Sequence, residues 1–98
     1  MYFITALQIQ NKLDNLVLGD SRCVGYFETF KEAENIVLNN IGDIEETIYN
    51  YCVIENIPAG LYQYDQNAKW YKFNELLEVF KPCEKPKEFQ NYVGFGIG

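Results

Sequence analysis

Residues 29–42, TFKEAENIVLNNIG, decide the architecture. Thr29 followed three positions later by Glu32 is a capping box, in which the Thr29 hydroxyl accepts the Glu32 amide while the Glu32 side chain reaches back. Behind it Phe30, Ala33, Ile36, Val37 and Ile41 recur at helical spacing, with Lys31, Glu32, Glu34, Asn35 and Asn39 on the water side. Asn39-Asn40 and Gly42 supply the stop. The stretch reads as an amphipathic helix of about three turns, and its apolar stripe requires a surface to lie on.

The flanking segments change period and supply that surface. Met1–Ile9 (MYFITALQI) alternates, with Phe3, Thr5, Leu7 and Ile9 on one face and Tyr2, Ile4, Ala6 and Gln8 on the other. Cys23–Phe27 (CVGYF) reads as a second short strand, after a loop or hairpin framed by Gln10–Asp14 and Leu18–Ser21. Asp43-Ile44-Glu45-Glu46 repeats the capping pattern and suggests one or two more helical turns. Tyr49–Ile54 (YNYCVI) is strand-like, with Tyr49 and Tyr51 on one face. Leu61–Tyr64 and Lys69–Phe73 flank Asp65-Gln66-Asn67 as a hairpin, and Leu76–Phe80 (LLEVF) is a further strand. Pro82 and Pro86 bracket a basic connector, and Glu88–Gln90 suits a single helical turn. The expected fold is α+β over residues 1–98 as a single domain: a small, mostly antiparallel sheet with one principal amphipathic helix packed on one face.

The 98 residues carry 8 basic and 14 acidic side chains, no histidine, and a formal net charge of −6. Residues 1–68 hold a net −7 and residues 69–98 a net +1. Such a field repels polyphosphate, so nucleic-acid binding is not expected. No apolar run approaches the ~18–20 residues that span a bilayer, and no basic leader opens the chain, which points to a cytoplasmic protein without membrane partners. Absence of histidine removes the commonest general base and zinc ligand. Cys23, Cys52 and Cys83 form no C-x-x-C pair; Cys23 and Cys52 read as small core residues. No nucleophile, base or metal set assembles, so neither an enzyme nor a cofactor is expected.

A spaced series runs through the chain: MYFIT at the start, Gly19-Asp20-Ser21-Arg22 with Gly25-Tyr26-Phe27 behind it, Ala33, and Tyr49-x-Tyr51-x-Val53-Ile54-Glu55. Gly60-Leu61-Tyr62, Trp70-Tyr71-x-Phe73 and the closing Gly96-Ile97-Gly98 continue it. The series resembles an uncharacterised family of small proteins from low-GC Gram-positive bacteria, their prophages and phages. The resemblance implies no site residues. It implies a setting, in which accessory proteins of mobile elements act as inhibitors, decoys or sponges against host systems.

Arg22, the single arginine, stands beside Ser21 in a glycine-bearing segment. A guanidinium there suits a phosphate or carboxylate, with the Ser21 hydroxyl and loop amides completing an anion pocket. The plainer alternative is an ion pair with Asp20 or Glu28. Tyr26, Tyr62, Tyr64 and Trp70 are the rings on which a base would stack, although core and sheet packing explains most aromatics of this kind. Trp70 and Tyr71 alternate along one strand, so at least one of them is expected to be partly exposed. Asp43, Glu45 and Glu46 read as helix-start acids. Glycines at every second position of residues 94–98 suit docking of the tail on its own domain or contact with another chain, and 16% aromatic residues favour a homo-oligomer, a dimer first. Two functions fit: non-catalytic sequestration of a nucleotide-derived signal in the service of counter-defence, or an acidic protein-binding inhibitor of a host nuclease or immune effector. The partner is accordingly a small nucleotide-like ligand or a host protein.

Overall fold

The computed structural model describes residues 1–12, 15–46, 48–56 and 68–86, with backbone alone for 10–12 and 15–20. In chain order the elements are β1 (Tyr2–Lys12), β2 (Asn15–Phe27), α1 (Phe30–Leu38), β3 (Tyr51–Asn56), β4 (Lys69–Asn74) and β5 (Val79–Cys83). The strands form one sheet in the order β2-β1-β3-β4-β5, each neighbouring pair antiparallel. β2 and β3 therefore run parallel on either side of β1, and α1 makes the crossover between them over one face of the sheet. This is the α+β architecture expected from the alternation of periods.

The helix begins as its capping box dictates. The Glu32 amide donates to Thr29 Oγ1 at 3.2 Å, and the Thr29 hydroxyl donates to Glu32 Oε1 at 2.8 Å. The Glu32 side chain thus returns to the cap hydroxyl. The helix stops in a Schellman motif: Asn40 adopts φ +45°, its amide donates to the Val37 carbonyl at 3.1 Å, and the Ile41 amide donates to the Ile36 carbonyl at 3.0 Å. Ala33 and Val37 have no exposed surface and meet Ile4, Ala6, Cys52, Ile54, Tyr71 and Phe80 of the sheet. Burying Val37 alone stabilises by roughly 1.5–3 kcal/mol.

One polar contact clamps this interface. The Tyr71 hydroxyl on β4 donates to Glu34 Oε2 on α1, and Lys69 Nζ reaches the same oxygen at 2.9 Å. The ammonium also lies 5.4 Å from the ring centre of Phe30 and 5.7 Å from that of Tyr71. The Tyr71 hydrogen bond, helped by Lys69 and opposed by desolvation, holds the Glu34 carboxyl below its ordinary range. Burial first, then the Glu34 carboxylate, pushes the Tyr71 phenol up, so the phenol keeps its proton.

Six local readings need correction. β2 starts at Asn15, and residues 18–21 are strand rather than loop, because β1 continues to Lys12 and pairs with them through a register shift opposite Leu7–Ile9. Asp43 opens a series of turns instead of a helix: its φ of +54° is not that of an N-cap, and the Glu45 amide donates to Asn40 Oδ1 instead. Tyr49 precedes β3 and joins the core under α1, whereas Tyr51 packs with Leu7, Val53 and Trp70 on the opposite face. Residues 75–78 are a turn and the fifth strand begins at Val79, because Asn74 Oδ1 accepts the amides of both Leu76 and Leu77 at 3.0 Å. Pro82 lies within β5, at the edge of the described sheet, where no further strand requires its N–H. Lastly, Cys23 is exposed; Cys52 is buried and Cys83 half-buried, and desolvation pushes both of those thiols up. The expected strand at Leu61–Tyr64, the turn at Glu88–Gln90 and the glycine-spaced tail lie outside the described residues.

Three substitutions test this arrangement. Ala33→Asp places an unpaired charge where there is no exposed surface and is expected to lower stability by several kcal/mol, while Thr29→Ala costs ~0.5–2 kcal/mol, both read from urea melts. Tyr71→Phe removes a hydrogen bond to a charged group and is expected to cost ~1.5–3 kcal/mol at pH 7. Since the Glu34 value is lowered in the fold, its contribution is present above the ordinary glutamate value of about 4.3 and is lost as pH falls through the folded value. The gap between wild type and Tyr71→Phe should therefore narrow as the pH drops below about 4.

Candidate functional site

A cleft of about 240 Å³ opens where β2, the end of α1 and the following turns meet. Its apolar wall is formed by Ile4, Val24 and Phe27 from the hairpin, Ile36 and Ile41 from the helix end, and Ile44 beyond it, with the Asp43 carboxylate also in the lining. The Schellman motif brings Ile41 back beside Ile36, so the chemistry that ends the helix also builds one wall. Arg22 and Glu46 stand in the lining as a charged pair, with Arg22 Nη1 donating to both carboxylate oxygens at 2.9 Å. Both side chains are solvent-exposed, so the pair adds at most ~1 kcal/mol to stability. Glu46 was not among the partners foreseen for Arg22.

A β-bulge decides which side of the sheet Arg22 serves. Ile4 pairs with Gly25 but Thr5 pairs with Cys23, leaving Val24 as an extra residue in β2. Without it Arg22 and Tyr26, four residues apart, would share a face. With it, Arg22 stands opposite Ala6 on the helix face, while Tyr26 stands opposite Phe3 on the other. Ser21 pairs with Leu7 and therefore also points away from Arg22.

The expected ligand set is thus divided. Arg22 lies in the cleft. Ser21 and Tyr26 are exposed on the opposite face, Tyr26 to 61% and with its ring centre 5.7 Å from that of Phe3. Trp70 is 4% exposed in a second core cluster with Leu7 and Val53, which corrects both its place in the set and the expectation that Trp70 or Tyr71 is partly open. Both rings are buried where they leave β4, so strand alternation does not turn either outward. Tyr62 and Tyr64 lie outside the described residues. Phe27 is the aromatic ring that lines the cleft. The residues missed from sequence are Glu46 and the walls Val24, Ile36, Ile41 and Ile44. The Asn39-Asn40 and Gly42 stop is the local signal that bears on Ile36 and Ile41.

The backbone around the cleft is strained. Asn40, Asp43 and Glu46 have φ of +45°, +54° and +49°, beside Gly42 at +75°. Asn and Asp accept this region readily, whereas Glu46 sits there at a cost of order 1 kcal/mol. Its carboxylate is what the strain delivers to Arg22.

Nearby, desolvation first and then the like charges Asp43, Glu75 and Glu78 raise the Glu45 carboxyl above its ordinary range. A raised carboxylate opposes folding when charged, and that opposition disappears as pH falls through the folded value. Glu45→Gln should therefore raise the thermal midpoint at pH 7, and the advantage should vanish by about pH 4, near the ordinary glutamate value. Thermal melts across that range check it.

No protein-family model, curated protein sequence or solved structure matches the chain. Among the described residues no helix is long and apolar enough to cross a membrane.

Proposed function

We propose that the chain is a non-catalytic binding protein that holds a small ligand in the Arg22 cleft, with an anionic group of the ligand on the guanidinium and a flat or apolar part against Phe27 and the isoleucines. In the mobile-element setting implied by the resemblance, the ligand is a nucleotide-derived signal and the action is sequestration in the cytoplasm. One observation carries this reading: the single arginine of the chain lies in a cleft lined by apolar side chains and by the Asp43 and Glu46 carboxylates, and its ion pair among the described residues is with the exposed Glu46. An incoming phosphate forms the same charge-assisted hydrogen bonds and displaces Glu46 at little cost in stability. The cleft is just below the ~300–1,000 Å³ of ordinary small-molecule sites, which suits one ring system or one sugar phosphate with the remainder in solvent. The aromatic partner is Phe27 rather than Tyr26 or Trp70, since those two belong to the other face.

The test is calorimetry against a panel of cyclic nucleotides and cyclic ADP-ribose isomers. Wild type should bind one of them saturably, and Arg22→Ala should weaken that binding more than tenfold, the equivalent of ~1.5–3 kcal/mol, with its melting temperature nearly unchanged. Glu46→Gln removes the competitor for the guanidinium and should tighten binding several-fold. Absence of binding across the panel, or equal binding by Arg22→Ala, would overturn the assignment.

A further inference from the structure

The turn between β4 and β5 carries two leucines into solvent, Leu76 with 94% of its surface exposed and Leu77 with 59%. Turns of this kind ordinarily present polar residues. The pair is held in place: beyond the two bonds to Asn74 Oδ1, the Glu78 amide donates to the Asn74 carbonyl at 2.8 Å. Beside the leucines a second cleft of about 370 Å³ is lined by Phe73 and walled by Asp43, Glu45, Glu75 and Glu78. Arg22 pairs with Glu46 and Lys69 with Glu34, carboxylates outside this group. Among the described residues no three acidic, histidine or cysteine side chains are arranged to hold a metal ion. The chemistry that fits an aromatic ring ringed by carboxylates is an organic cation, a guanidinium or ammonium.

We propose that this face docks a basic segment of another protein, with an arginine or lysine of the partner entering the cleft beside Phe73 and its apolar neighbours covering Leu76 and Leu77. Charge complementarity selects this occupant. A second copy of the chain meeting the same face across a two-fold axis would set four carboxylates against four and be repelled. The surface shares only Asp43 with the lining of the Arg22 cleft and does not depend on that site. It is also distinct from the helix-start acids read in the sequence, because Glu46 is drawn to Arg22, and Glu75 and Glu78 join Asp43 and Glu45 instead.

The experiment is a titration of the isotope-labelled chain with a capped peptide alternating arginine and leucine, followed by amide chemical shifts, with the glutamate-for-arginine peptide as control. Saturable shifts are expected at Glu45, Phe73 and Glu75–Glu78, absent with the control peptide. Leu76→Ser with Leu77→Ser, and separately Glu75→Gln with Glu78→Gln, should each weaken binding about tenfold, and all four side chains are exposed enough for the variants to fold. Shifts centred elsewhere, equal binding of the acidic peptide, or a leucine double variant that binds like wild type overturns the proposal. Sedimentation velocity reads the rival occupant: a wild-type dimer lost in the leucine double variant would assign the leucines to a second copy, and overturns it too. None of these outcomes bears on the Arg22 cleft, which is read by its own ligand panel.

Discussion

The seating of α1 on the sheet is the contact on which the described structure depends. A nine-residue helix is too short to persist alone in water, so its existence rests on the surface beneath it. Ala33 lets the helix backbone approach closely, Val37 fills the space a turn further on, and the Tyr71–Glu34–Lys69 contact fixes the helix against β4. Where the helix sits determines where it stops, and where it stops sets Ile36, Ile41 and the turns that end in Glu46. Both clefts are consequences of that placement.

A second constraint is the extra residue at Val24. Strand periodicity admits no intermediate outcome: one inserted residue sends every later side chain to the other face. The bulge brings Arg22 to the helix face beside the isoleucines and leaves Ser21 and Tyr26 on the far side. A pocket uniting all three residues is therefore not available in this sheet, and the chemistry around Arg22 is that of an apolar wall facing the Arg22–Glu46 pair and the Asp43 carboxylate.

The negative charge of the chain also divides into separate roles once folded. Glu34 is structural, held by Tyr71 and Lys69. Glu46 restrains Arg22. Glu45 gathers with Asp43, Glu75 and Glu78, and its raised carboxyl records their mutual repulsion together with desolvation. Burial of the Cys52 thiol keeps it protonated, consistent with a packing role for that residue. Net charge alone distinguishes none of these roles, because the carboxylates differ only in what lies across space from them.

The capping box at Thr29, the faces of β1 and the burial of Ala33 and Val37 were legible in the chain, because each depends on residues within a few positions of one another. The α+β class followed from the same local periods. The Asp43 turns, the strand character of residues 18–21 and the turn at Leu76–Leu77 were not legible: their apparent signals are overridden by Asn40, by the far arm of β1 and by Asn74, whose side chains or backbone supply competing hydrogen bonds. Arg22 was legible as a candidate because it is unique. Its partner Glu46 lies 24 residues away, and its face depends on a bulge that only pairing with β1 reveals. Local hydrogen bonding and side-chain period are written in sequence, whereas the choice of face, of ion partner and of which rings are covered belongs to contacts made across the sheet.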